Sequence, residues 1–261
     1  VARLAREGVA LAYEEAGSGD PPFVFVHGVA CDRSYFAPQV DQFWRSHRTV
    51  SVDLRGHGES DRPHQEYTMT GFADDLAWLC EQLSVQRPIV VGHSMGGVIA
   101  IVLAAQYPDL PAAVVMVDSP IAAIAGPPSA SDPRRQILDA LKGPGYADVV
   151  RSFVDRMFLP TDHGERRARI TELMTSAPQH IFASAVEQVW SCDLPAAASA
   201  CRVPTLYIQA AGPRPELGRL GELCPQLAIG RTVGAGHFNM LEVPEQVNAM
   251  IAHFLATTLP S

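Results

Sequence analysis

No stretch of this 261-residue chain approaches the roughly 18 continuous apolar residues that a membrane-crossing helix needs. Excess positive charge is also missing. The 28 acidic side chains outnumber the 20 basic ones, and the formal net charge of −8 sets the chain's field against nucleic acid and anionic membranes. Cysteine is present without a pattern: Cys31, Cys80, Cys192, Cys201 and Cys224 are an odd set with no CxxC spacing. Neither a disulfide framework nor a zinc site is indicated, and the five are expected to be free thiols. Val1 to Gly8 lacks the charged-then-apolar pattern of a secretion signal, so a cytoplasmic protein is expected, although a processed precursor would look the same. No cofactor or metal is called for, and the partner that fits is a small neutral or weakly polar molecule. Oligomeric state is not encoded in any readable way.

What the chain has is apolar content, 47% of its residues, enough for one substantial core. Phe23 to Val26, Val50 to Val52, Ile89 to Val91 and Val114 to Val117 are short apolar runs separated by helical patterns, as in a parallel sheet covered on both faces. Phe72, Leu76, Leu79 and Leu83 recur at helical spacing, with Thr70 as the expected N-cap. Val98 to Ala105 is apolar all round and predicts a helix packed inside the domain. At Pro120 the pattern changes. A Pro/Gly/Ser-rich stretch leads into helical periodicity without a convincing strand, in which Val149, Phe153 and Met157 share one face, Ile181, Ala185 and Val189 share another, and Pro144, Pro160 and Pro178 separate the helices. The expected organisation is a core of residues 1–119 and 196–261, with a helical cap, 120–195, inserted after the strand ending near Val117. Thr205 to Ile208 resumes the strand pattern, and a last helix is expected from Pro244 to Leu255.

The chemistry concentrates at Gly92-His93-Ser94-Met95-Gly96-Gly97, a GxSxG sequence between a predicted strand and a predicted helix. A sharp strand-to-helix turn holds its serine in a strained conformation and needs small residues where the backbones pass, which Gly92, Gly96 and Gly97 provide. The helix starting beneath Ser94 points its positive end at any developing anion. Cys31 is a second chemically competent nucleophile, but a lone cysteine is more commonly a small buried hydrophobe.

With His27-Gly28 after the first core strand, Asp53-Leu54-Arg55-Gly56-His57-Gly58-Glu59-Ser60, the elbow, and Gly234-Ala235-Gly236-His237, the chain resembles the α/β-hydrolase superfamily over almost its whole length apart from the cap. The resemblance implies an α/β fold with a mostly parallel twisted sheet covered by helices. It also implies the chain order serine, acid, histidine, which makes His237 the base that activates Ser94. His27 and His57 then belong to structural turns, and the His93 side chain should point away from the serine. His47, His64, His163, His180 and His253 fall in polar or amphipathic surroundings and are expected at the surface. Many relatives carry an aspartate about where Pro213 stands. Here the nearest carboxylate is Glu216, and Asp118, at the end of the strand Val114 to Val117, is the preferred acid because a strand end holds its distance better than a loop. The oxyanion donors implied are the backbone N–H groups of Val29 and Met95. Asp53, Arg55 and Glu59 are read as a salt-bridged turn.

The implied reaction is hydrolysis of a small to medium carboxylic ester or lactone through an acyl-enzyme. The same constellation also resembles carbon–carbon bond hydrolases, perhydrolases and cofactor-free oxygenases, and a weakly hydrolytic receptor is a reading of a different class.

Overall fold

The computed structural model describes residues 1–129, 131–214 and 216–259. Ala130, within the expected cap, and Pro215, Pro260 and Ser261, within the expected core, lie outside the described residues. Among the described residues, β1 (Ala2–Arg6), β2 (Val9–Ala16), β3 (Phe23–Val26), β4 (Thr49–Val52), β5 (Ile89–His93), β6 (Ala113–Val117), β7 (Thr205–Gln209) and β8 (Leu227–Arg231) form one sheet in the order β1-β2-β4-β3-β5-β6-β7-β8. β2 pairs antiparallel with β1 and with β4, and every later pairing is parallel.

The central strands β3, β4, β5, β6 and β7 are buried along their whole length. Their apolar runs are continuous because helices cover both faces. The helix α1 (Ala37–Phe43) contributes Phe43, whose ring stacks on Phe23 at 4.6 Å, and Phe36 stacks on Phe25 at 5.1 Å. The helix α2 (Met69–Gln82) buries Phe72, Leu76 and Leu79, as the spacing predicts. Its cap is Thr68, not Thr70: Thr68 has extended backbone and its Oγ1 accepts the Gly71 N–H at 3.0 Å, whereas Thr70 already lies in the first turn. The helix α3 (Met95–Gln106) is buried on almost all sides, in keeping with its uniformly apolar sequence.

Between β6 and β7 the described chain runs through α4 (Pro133–Leu141), α5 (Tyr146–Asp155), α6 (Gly164–Thr175), α7 (Gln179–Ser191) and α8 (Leu194–Ala200) with no strand. Pro144, Pro160 and Pro178 each fall between two of these helices. Ile181, Ala185 and Val189 lie on the buried face of α7. For α5 the buried residues are Tyr146, Val150 and Val154; Val149 and Phe153 flank that face, and Met157 lies beyond the helix end. Tyr146 turns inward on that face, its hydroxyl donating to the Ala177 carbonyl at 3.0 Å. After β7 come α9 (Leu217–Leu223), α10 (Asn239–Glu242) and α11 (Pro244–Thr258), the last three residues longer than its sequence pattern suggests.

The turn from β5 into α3 is tightly built. A Cβ on Gly92 would meet the Gly96 carbonyl, and a Cβ on Gly96 would meet the Val26 carbonyl. Both obstacles are backbone, which cannot swing aside. Gly92→Ala is therefore expected to lower stability by about 3 kcal/mol. A urea unfolding midpoint unchanged from the parent would contradict this packing account.

Candidate active site

Ser94 stands at the first residue after β5 with φ 53° and ψ −122°, a conformation that non-glycine residues rarely adopt. Its N–H donates to the Val117 carbonyl at 2.9 Å, which joins the elbow to the end of β6. Asp118 follows immediately, also at positive φ (40°), and its N–H donates to the Ile208 carbonyl at 2.9 Å. Two strained residues on adjacent strand ends thus have their backbones fixed by the sheet.

The Asp118 carboxylate is 1% exposed and takes three donors. Oδ1 accepts the Ala210 N–H at 3.1 Å, and Oδ2 accepts His237 Nδ1–H at 2.7 Å and Arg214 Nη2–H at 2.9 Å. Burial pushes this carboxyl up, but the His237 hydrogen bond and charge, Arg214 and the Ala210 N–H outweigh it, so the group sits below the usual carboxylate range. An ionised acceptor puts the ring proton of His237 on Nδ1 and leaves Nε2 as the basic nitrogen of the neutral ring. His237 and Ser94 line one small cavity, walled by Cys31, Met157, Met174 and Phe238.

The histidine is held by its backbone. Its N–H donates to the Met157 carbonyl at 2.8 Å, and its own carbonyl accepts His93 Nε2–H at 2.9 Å. His93 therefore does not simply turn away from the site. Its ring packs 4.6 Å from that of His237, and burial drives it well below the ordinary imidazole value, so it works as a neutral donor that supports the histidine loop. A GHS sequence carries no signal for that contact, since the partner carbonyl lies 144 residues away.

Among the described residues, neither the Val29 nor the Met95 backbone N–H donates a hydrogen bond within the protein. Val29 lines the Ser94 cavity and Met95 opens α3 directly after the serine. Glu216 shares a second cavity with Asp118, Arg214 and His237, but the carboxylate bonded to the histidine is that of Asp118. Cys31 is 5% exposed and burial pushes its thiol up, which disfavours the thiolate a cysteine nucleophile would need.

His27 and His57 brace turns. His27 Nδ1–H donates to the Gly28 carbonyl at 2.7 Å while its Nε2 accepts the Leu54 N–H at 3.0 Å. His57 Nδ1–H donates to the Arg55 carbonyl at 3.0 Å, and burial pushes that ring down to about 3. The acidic turn is ion-paired, with different partners than its sequence suggests. Asp53 and Glu59 both bind Arg33, whereas Arg55 reaches Asp75 on α2. Arg33 and Asp75 are distant in sequence, so no local pattern could name them. Arg214 was equally hidden, although a basic side chain in the loop that follows β7, opposite Asp118, is the signal that could have found it.

A family model described as the alpha/beta hydrolase fold matches residues 21–244. The chain belongs to the α/β-hydrolase family. Among characterised relatives, 2-(acetamidomethylene)succinate hydrolase of Mesorhizobium japonicum is 39% identical over 110 residues, covering 42% of this chain and 39% of that protein. Among solved structures of the family, a thermophilic esterase from Thermogutta terrifontis superposes with a TM-score of 0.85 at 28% identity, covering 100% of both chains. The enol-lactonase from Burkholderia xenovorans LB400 superposes with a TM-score of 0.84 at 24% identity over 98% of this chain and 100% of its own, a likeness of fold. Among the described residues no helix is long and apolar enough to cross a membrane.

Proposed function

We propose that this α/β-hydrolase family member is a serine hydrolase that cleaves the carboxylic ester or lactone bond of a small acyl substrate. The observation that carries the proposal is the 2.7 Å bond from His237 Nδ1 to Asp118, with His237 and Ser94 on the same cavity. In the reaction, His237 Nε2 takes the Ser94 proton as Oγ attacks the carbonyl carbon. The Val29 and Met95 N–H groups receive the oxyanion, each contributing a factor of about a hundred to a thousand. Collapse expels the alcohol, which takes its proton from His237. Water, deprotonated by the same nitrogen, then attacks the acyl carbon and regenerates Ser94. Asp118 fixes the tautomer and stabilises the transient imidazolium. In a lactone the leaving alcohol stays attached to the acyl chain, so the same steps open the ring.

Residues 120–195 act as the cap in this reading. Met157 and Met174, from the helical segment, form the part of the cavity wall that limits acyl length. The space open to a water's centre beside Ser94 is only about 10 Å³, enough for roughly one water molecule, which favours a short acyl group. Turnover of p-nitrophenyl acetate through octanoate, with acyl lactones alongside, tests both points. Esterase activity should fall with chain length, and Met174→Ala should raise the rate on the longer esters about tenfold relative to acetate. Uniform loss on every ester would remove the cap from specificity, and absence of turnover across the panel would overturn the ester and lactone assignment.

A further inference from the structure

Arg214 presents a positive charge to the carboxylate that already holds His237. Its Nη2–H reaches Asp118 Oδ2 at 2.9 Å, the same oxygen that accepts His237 Nδ1–H at 2.7 Å. The arginine side chain is 34% exposed and the carboxylate 1% exposed, so a partly solvated cation pairs with a buried anion. Asp118 has the positive φ noted above, a sparsely populated backbone conformation that its surroundings must hold in place. Its carboxylate is held by three partners. The Ala210 N–H fixes one oxygen, and Arg214 and His237 share the other.

Other charged or titratable groups face His237. His93 packs on its ring from β5, Glu216 shares its cavity, and Glu242 on α10 accepts the neighbouring Gly236 N–H. Of the groups facing His237, Arg214 is the cation that shares its bonded oxygen.

We propose that Arg214 is a positioning residue for the Asp118–His237 pair, locking the carboxylate toward the imidazole and offsetting part of its charge so that the imidazolium releases its proton readily. Without the guanidinium, the full charge of Asp118 would bear on the imidazolium. Arg214 keeps the geometry of the pair while weakening its grip on the proton. The inference rests on the assignment of His237 as the base, and its test separates the two.

The experiment compares the parent with Arg214→Met, Arg214→Gln and Arg214→Lys in the full chain. The His237 ring is followed by NMR against pH, assigned with His237→Asn, and kcat/KM is followed on p-nitrophenyl acetate. In the two neutral variants the ring titration and the acid limb of kcat/KM should both move to higher pH by about one unit, with kcat at the optimum down about tenfold. Arg214→Lys should keep both midpoints within a few tenths of a unit and recover most of the rate. A ring titration unmoved in both neutral variants would overturn the proposal, as would a rise in KM alone, which would make Arg214 a substrate ligand. If the ring shifts while the acid limb stays in place, Arg214 acts on His237 as proposed, and the assignment of His237 as the base fails instead.

Discussion

Ser94→Ala is expected to lower ester turnover by about 10⁵-fold or more while leaving the fold intact. The nucleophile cannot be replaced by water held in the same site, because the acyl-enzyme route divides one hard step into two easier ones, and removing a triad member leaves only the contribution of the oxyanion donors and of binding. Structure should not suffer: the Ser94 side chain makes no capping hydrogen bond to α3, and alanine meets the same strained backbone that serine does. Stopped assays on p-nitrophenyl acetate give the rate, and a urea midpoint matching the parent establishes the fold. Intact-mass analysis after a fluorophosphonate probe should show one adduct on the parent and none on the variant. An adduct on Cys31 with Ser94 unmodified would sink the mechanism.

The second large effect is expected at the acid. Asp118→Asn should reduce kcat by about 10⁴, because an amide presents donors and acceptor in a fixed arrangement and favours the wrong histidine tautomer. The site makes the conflict specific. The Ala210 N–H, Arg214 Nη2–H and His237 Nδ1–H all point at this side chain, so any orientation of an asparagine sets its NH₂ against a donor. Glu216→Gln should stay within a few-fold of the parent, because Glu216 lines the neighbouring cavity without bonding the histidine. The reverse pair of outcomes would transfer the role to Glu216.

The central sheet was legible because burial on both faces leaves a residue pattern with little room for alternatives: Phe23 to Val26, Ile89 to Val91, Val114 to Val117 and Thr205 to Ile208 all lie in strands. The outer strands β1, β2 and β8 were not. In β8 the side chains are half-buried or exposed, with Ile229 53% exposed, so pairing with β7 rather than a hydrophobic pattern creates the strand. Site chemistry divides in the same way. Ser94 announces itself through the glycines its turn requires, which are local. The choice between Asp118 and Glu216 depends on the loop after Gln209, where Gly212 turns the chain at φ 101°, and on side chains meeting across 119 residues of sequence. Arg214 and His93 act through partners 96 and 144 residues away, and no periodicity records such meetings.

Ser94 and Asp118 ride on the sheet together, since the serine N–H is bonded to the Val117 carbonyl one residue before the aspartate. His237 instead hangs by its N–H from the Met157 carbonyl, in the helical segment between β6 and β7. Whatever lifts that segment from the sheet slackens the histidine in the same motion. The base is thus tied to two parts of the chain, its ring to the end of β6 through Asp118 and its backbone to the helical segment through Met157.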